Sequence, residues 1–255
     1  VMSRNPLWTV LTGGIETLKD VCPDLPDTAC GLPKVTESAC KGFGCRRCVN
    51  VCPTKAITIN DDEEGGVVTL DRGLCIGCNS CVACCSSGTI SADRSTRTAV
   101  TNRDGLILTN RNKSQKENVS PTRPFLRSLH IREVSTGCNA TDMEVTTTTN
   151  PMFDVARFGV HFVASPRYAD ALLVTGPVGK AMQEPLQRCY DAMAEPRIII
   201  AVGTSAISGG LHRNGYAEAN GVSPEYPIAA FVPGSPPHPW SIIHGILLAM
   251  GRKIE

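Results

Sequence analysis

Between Cys40 and Cys85 the chain places nine of its thirteen cysteines. The first half of this stretch reads Cys40, Cys45, Cys48, Cys52-Pro53, and the second Cys75, Cys78, Cys81, Cys85. Both halves end in a C-x2-C-x3-C rhythm, and the second is the full C-x2-C-x2-C-x3-C run. Three closely spaced cysteines on a tight loop reach three irons of one cube, and the fourth is carried along the next helix to another cube. The spacing therefore predicts two [4Fe–4S] clusters, one held by Cys40, Cys45, Cys48 and Cys85, the other by Cys75, Cys78, Cys81 and Cys52. Zinc sites favour separated C-x2-C pairs with four ligands per metal, and tandem C-x2-C thiols do not make a disulfide framework.

The pattern resembles that of bacterial two-cluster ferredoxins, with departures. Four residues, Lys41-Gly42-Phe43-Gly44, separate Cys40 from Cys45 where two are usual, which leaves Cys30 as an alternative first ligand. Cys84 is a spare thiol beside Cys85, and Ser86 stands where the second run usually has proline. The β-prone runs 56–59 and 67–70, separated by the acidic stretch 61–66, predict one hairpin between the motifs. Ile57, Ile76 and Val82 would shield the clusters.

At 255 residues the chain has room for one large or two small domains. A net charge of +1 gives no bias toward nucleic acid or lipid, and no apolar run reaches the roughly 18 residues of a spanning helix. With no signal segment ahead of the cysteines, a reducing cytoplasm is expected. Residues 6–21 carry apolar side chains at helical spacing around Gly13-Gly14 and read as a segment packed on its own domain or as an apolar docking anchor bearing Trp8. Residues 22–33 read as an extended connector. From Arg94 to Arg132 nine lysines and arginines face two acids, Asp104 and Glu117, which predicts a basic linker wrapped over a neighbour. The expected divisions are a docking segment 1–35, an α+β two-cluster domain 36–95, the linker 96–132, and an α/β domain 133–255.

That last domain has a different grammar. Ala171–Val174 and Arg197–Val202 are continuous apolar runs, as in strands buried on both faces of a parallel sheet. A helix over 178–193 makes them a β-α-β unit. A further strand over 228–232 and a terminal helix over 239–250 follow. Loops at 175–177, 203–205 and 233–235 then share the carboxyl edge of a flavodoxin-like sheet, where ligands bind in such folds.

Ser165-Pro166-Arg167-Tyr168-Ala169-Asp170, LLVTGPV, YDAMAEPRIIIAVG, AISGG and VPG-x-PP, in this order, resemble the small cluster-bearing subunit shared by respiratory complex I and membrane-bound [NiFe] hydrogenases, formate hydrogenlyases included. The resemblance covers about residues 130–250. With the ferredoxin-like half it implies a fusion of two subunits that normally sit side by side. It also implies a cluster cradle of four cysteines. Here those positions read Cys138, Thr141, Ser205 and Ser235, so three of the four are hydroxyls. One thiolate cannot hold a cubane, and hydroxyl oxygens are poor ligands for iron–sulfur. The C-terminal cluster is therefore expected to be lost while the turns remain.

The expected function is electron transfer through two clusters in a complex I-like or hydrogenase-like assembly, attached peripherally to the cytoplasmic membrane. Its partners would be a hydrogenase-like large subunit, membrane subunits and a soluble electron donor or acceptor, without nucleic acid. The alternatives are a mainly structural docking subunit without hydrogenase chemistry, and a stand-alone ferredoxin-like protein whose second domain binds a small ligand. No residue reads as a catalytic acid, base or nucleophile. Asp142 and Glu144 beside Cys138 could line a proton path or serve as a solvated or capping pair. His161, His212, His238 and His244 show no ligand spacing, and Cys189 reads as a structural thiol.

Overall fold

A computed structural model describes residues 13–14, 17–62, 65–111 and 125–252. Most of the 6–21 helix expected from the sequence lies outside these residues.

The cysteine-rich half is built on two small antiparallel sheets. Strand β1 (Leu32–Val35) pairs with β4 (Ile90–Asp93). Strands β2 (Ile57–Asp62), β3 (Gly65–Asp71) and β5 (Ile107–Thr109) form the other, in the order β2-β3-β5. Two one-turn helices, α1 (Arg47–Val51) and α2 (Ser80–Cys84), carry the motif cysteines across a core of Ile57, Ile59, Val68, Leu70 and Ile90. The hairpin runs further than the acidic stretch suggested, with Asp61 opposite Gly66 and Asp62 opposite Gly65. Gly66 permits this, because a Cβ there would stand 2.4 Å from the Cα of Gly42.

The second half is a five-stranded parallel sheet in the order β10-β9-β8-β6-β7, made of β6 (Leu129–Ser135), β7 (Val160–Phe162), β8 (Ala171–Thr175), β9 (Ile198–Val202) and β10 (Ile228–Val232). Counted within the domain, this is the 2-1-3-4-5 order of flavodoxin-like folds. Every residue of β8 is buried, which is why it reads as one apolar run. One face packs on α3 (Asn139–Thr147) and α6 (Pro239–Ala249) through Val145, Trp240, Ile243 and Ile246. The other packs on α4 (Lys180–Asp191) through Leu186. A short helix, α5 (Thr204–Ser208), follows β9.

The two halves interlock. The chain before β1 returns to the parallel domain: Cys22 is buried in that domain's core and its Sγ donates to the carbonyl of Trp240. Beyond β4, Ala99 enters the same core and Val100 pairs antiparallel with Phe231 at the β10 edge. The backbone N–H of Ala99 donates to Nδ1 of buried His244. Burial, with Arg97 nearby, lowers the His244 pKa to about 4, so the imidazole is a neutral acceptor.

Candidate functional site

Two groups of cysteines line two small hollows, each drawing on both motif halves. Cys40, Cys45, Cys48, Cys84 and Cys85 surround the first, with Ile59, Val68 and Ile90 as its apolar wall. Cys52, Cys75, Cys78 and Cys81 surround the second, with Ile57, Leu70 and Ile76. Cys30 lies apart and exposed. Backbone N–H groups of Gly42, Ala56, Gly77 and Ile90 donate to the sulfurs of Cys40, Cys52, Cys75 and Cys85. Cys84 Sγ is turned onto the carbonyl of Cys81.

The expected pair of clusters is corrected here. Among the described residues no group of three or more His, Cys, Asp or Glu side chains is placed to hold a metal ion. The hollows enclose about 20 and 10 Å³, room for about one water each. Burial pushes the thiols of Cys48 and Cys75 up to about 11 and that of Cys81 to about 12. The ligand spacing of the sequence is thus present without metal-holding geometry in the folded chain. Electron transfer through two resident [4Fe–4S] clusters, and the metal-binding character expected with it, are withdrawn as the reading of this chain.

At the carboxyl edge of the parallel sheet, Cys138 Sγ and Thr141 Oγ1 lie 3.1 Å apart. A Cβ on Gly203 would stand 3.2 Å from Thr141 Oγ1, which places the turn after β9 against α3. The N–H of Thr204 donates to the carbonyl of Gly234 at 2.8 Å and joins the turns after β9 and β10. Ser205 is half-buried, and its hydroxyl oxygen would stand 2.9 Å from a Cβ placed on Gly210. Ser235 is exposed. The three turns are therefore contiguous, with Cys138 and Thr141 in contact.

Hydroxyls and one carboxylate hold this edge. The strand order reverses between β6 and β8, and there buried Thr136 Oγ1 donates to the Thr175 carbonyl at 2.6 Å and accepts from the N–H of Val178 at 3.0 Å. Gly176 must lack a side chain, since a Cβ would meet Thr136 Oγ1 at 2.8 Å. Asp142, in the first turn of α3, accepts from Ser135 and Thr175, so its carboxylate clamps the ends of both strands. Glu133 lies nearby with a buried Oε1 that lacks a hydrogen-bond partner. Burial first, and the charge of Asp142 second, raise its pKa to about 7. Burial also raises the pKa of Glu144.

The same edge grips the cysteine-rich half. Buried Thr204 Oγ1 donates to the carbonyl of Cys75, and buried Ser208 Oγ to that of Gly73, both at 2.7 Å. The reading of the sequence missed this pair, because nothing in Gly203-Thr204-Ser205-Ala206 marks which hydroxyl reaches a partner 129 residues away.

Fold and site together define a ferredoxin-like module fused to a flavodoxin-like α/β domain. Residues 138–249 match the family described as NADH ubiquinone oxidoreductase, 20 Kd subunit, and residues 39–89 match the 4Fe-4S dicluster domain. The chain is 42% identical over 129 residues to an uncharacterized protein of Methanocaldococcus jannaschii, covering 50% of this chain and 86% of that one. It is 38% identical to a probable membrane-bound hydrogenase subunit of Pyrococcus furiosus, over 49% of this chain and 76% of that one. It is 37% identical to subunit 7 of formate hydrogenlyase from Escherichia coli and spans 49% of that protein's length and 49% of its own. The chain belongs to the NADH ubiquinone oxidoreductase 20 Kd subunit family, with a ferredoxin-like domain joined ahead of the family domain.

Proposed function

We propose that this chain is a docking subunit of a hydrogenase-derived, complex I-like assembly, and that its own contribution is structural. The observation that carries this reading is the carboxyl edge of the parallel sheet. Its three turns are contiguous, and those after β9 and β10 are bonded to each other, yet Cys138 is the single thiol among the four cradle positions that the family resemblance marks. A surface kept in shape without its cofactor chemistry serves for contact. Large apolar side chains stand exposed on elements that leave this edge: Met143 on α3 is 71% exposed, and Leu211 beyond α5 is 64% exposed. Such groups are the anchors a partner buries. In this reading the partner is a hydrogenase-like large subunit, and the ferredoxin-like half braces the edge from behind through Thr204 and Ser208. Among the described residues no helix is long and apolar enough to cross a membrane, so membrane attachment would come through partners.

The test is tagged full-length chain expressed in its native host, isolated gently, with co-purifying chains identified. A hydrogenase-like large subunit should be recovered with the unaltered chain and lost with Met143→Glu plus Leu211→Glu. Recovery of the chain alone, or a complex indifferent to these changes, would overturn the docking assignment.

A further inference from the structure

Far from that edge, at the amino end of the sheet, the fold assembles a second group of side chains. His130 is the second residue of β6, and its register partner on the parallel edge strand β7 is His161. Register partners project from the same face of a sheet, and the two imidazole centres lie 5.6 Å apart with planes inclined by 34°. Asp170, just before β8, completes the group. Its Oδ2 accepts from the backbone N–H of His130 at 2.8 Å and lies 3.2 Å from Nδ1 of the same residue. A carboxylate on Nδ1 holds the proton there and leaves Nε2 with a free lone pair.

We infer that His130 and His161 form a surface site for a borderline divalent transition-metal ion such as zinc or nickel, with Asp170 as the positioning carboxylate. With metal–nitrogen distances of about 2.0–2.1 Å, a ligated imidazole has its centre about 3.2 Å from the ion. Two such rings at a tetrahedral angle have centres about 5.2 Å apart, close to the separation in the structure. Imidazole nitrogen suits zinc, nickel and copper and does not suit magnesium or calcium. The carboxylate–histidine pairing is the outer support that metal-ligating imidazoles commonly carry. His161 is exposed, and the side chains of His130 and Asp170 are 44% and 36% exposed, so an ion and the waters completing its coordination have access. With two protein ligands the site is open, which is compatible with the absence of any three-ligand group among the described residues. A bound ion would tie the short edge strand β7 to the strand that leads to Cys138.

Histidine-selective ¹⁵N NMR of the full-length chain, titrated with zinc sulfate, tests the site. The Nε2 signals of His130 and His161 should move together, while that of exposed His212 stays in place. His161→Gln should abolish the response of His130, and Asp170→Asn should weaken binding about tenfold or more. Zinc-edge anomalous scattering from soaked crystals should show a peak between the two rings. Zinc taken up only by thiols, or a His130 response that survives His161→Gln, would overturn the assignment.

Discussion

Replacing Thr204 with valine keeps the side-chain shape and deletes one hydroxyl at the junction of the two halves. That hydroxyl donates to the carbonyl of Cys75 at 2.7 Å and accepts from the N–H of Gly234 at 3.3 Å, and Thr204 is fully buried. Valine leaves both main-chain groups without this partner in a place water does not reach. A buried polar group deprived of its bond costs about 1–3 kcal/mol. With the longer bond counted at the low end, the substitution should destabilise the chain by about 2–4 kcal/mol. Thr204→Ser retains the oxygen and loses one methyl group, worth about 1 kcal/mol. Urea denaturation of the three proteins measures the global effect, and hydrogen exchange at the amide of Cys75 reports whether the loop over α5 opens locally. A valine variant within about 0.5 kcal/mol of the parent, or a serine variant as damaged as the valine one, would refute the assignment of this hydroxyl as the link.

One buried and one half-buried ionisable group, His244 and Glu133, should give the chain a pH profile with opposing components. His244 has its folded pKa lowered to about 4 from an ordinary value of 6.5, so its contribution is complete above pH 6.5 and is lost as pH falls toward 4. The shift corresponds to about 3 kcal/mol, and His244→Gln should remove that acid-side loss in thermal denaturation from pH 7 to 4. Glu133 has its folded pKa raised from 4.5 to about 7, so the folded chain is favoured while this group is protonated and loses stability as pH rises through 7. Glu133→Gln should therefore raise the melting temperature at pH 8 and leave it little changed at pH 4.5; destabilisation at pH 8 would contradict the assigned sign.

How much of this molecule could be read from the chain alone differs from element to element. Strands β8 and β9 were legible because burial on both sheet faces leaves nothing but apolar residues to read, and helix α6 because it is buried along nearly its whole length. Strand β6 was not. Its sequence LHIREVS alternates, since it neighbours the short edge strand β7 and His130, Arg132 and Glu133 are only half-buried. β5 fell within the basic stretch read as linker, yet it pairs with β3 far back in the chain. Cys22, read as the start of a connector, is buried beside Trp240, a contact with no local signal.

The cysteine spacing by itself determined that the first half would be a small loop-rich module with two groups of thiols, because tight loops and short helices leave the chain few ways to place them. The motif order determined the flavodoxin-like second half and the three hydroxyls at its edge. Whether those thiols converge on a metal is a matter of tertiary structure, since ligation depends on where packing places the side chains, and among the described residues no group of three or more is placed to hold an ion. Tertiary structure also decided that Thr204 reaches Cys75, that Asp142 clamps two strands, and that His130 faces His161. Each of these joins residues that only the closing of a sheet or the packing of one half on the other brings within bonding distance, and sequence periodicity carries no record of such long-range contacts.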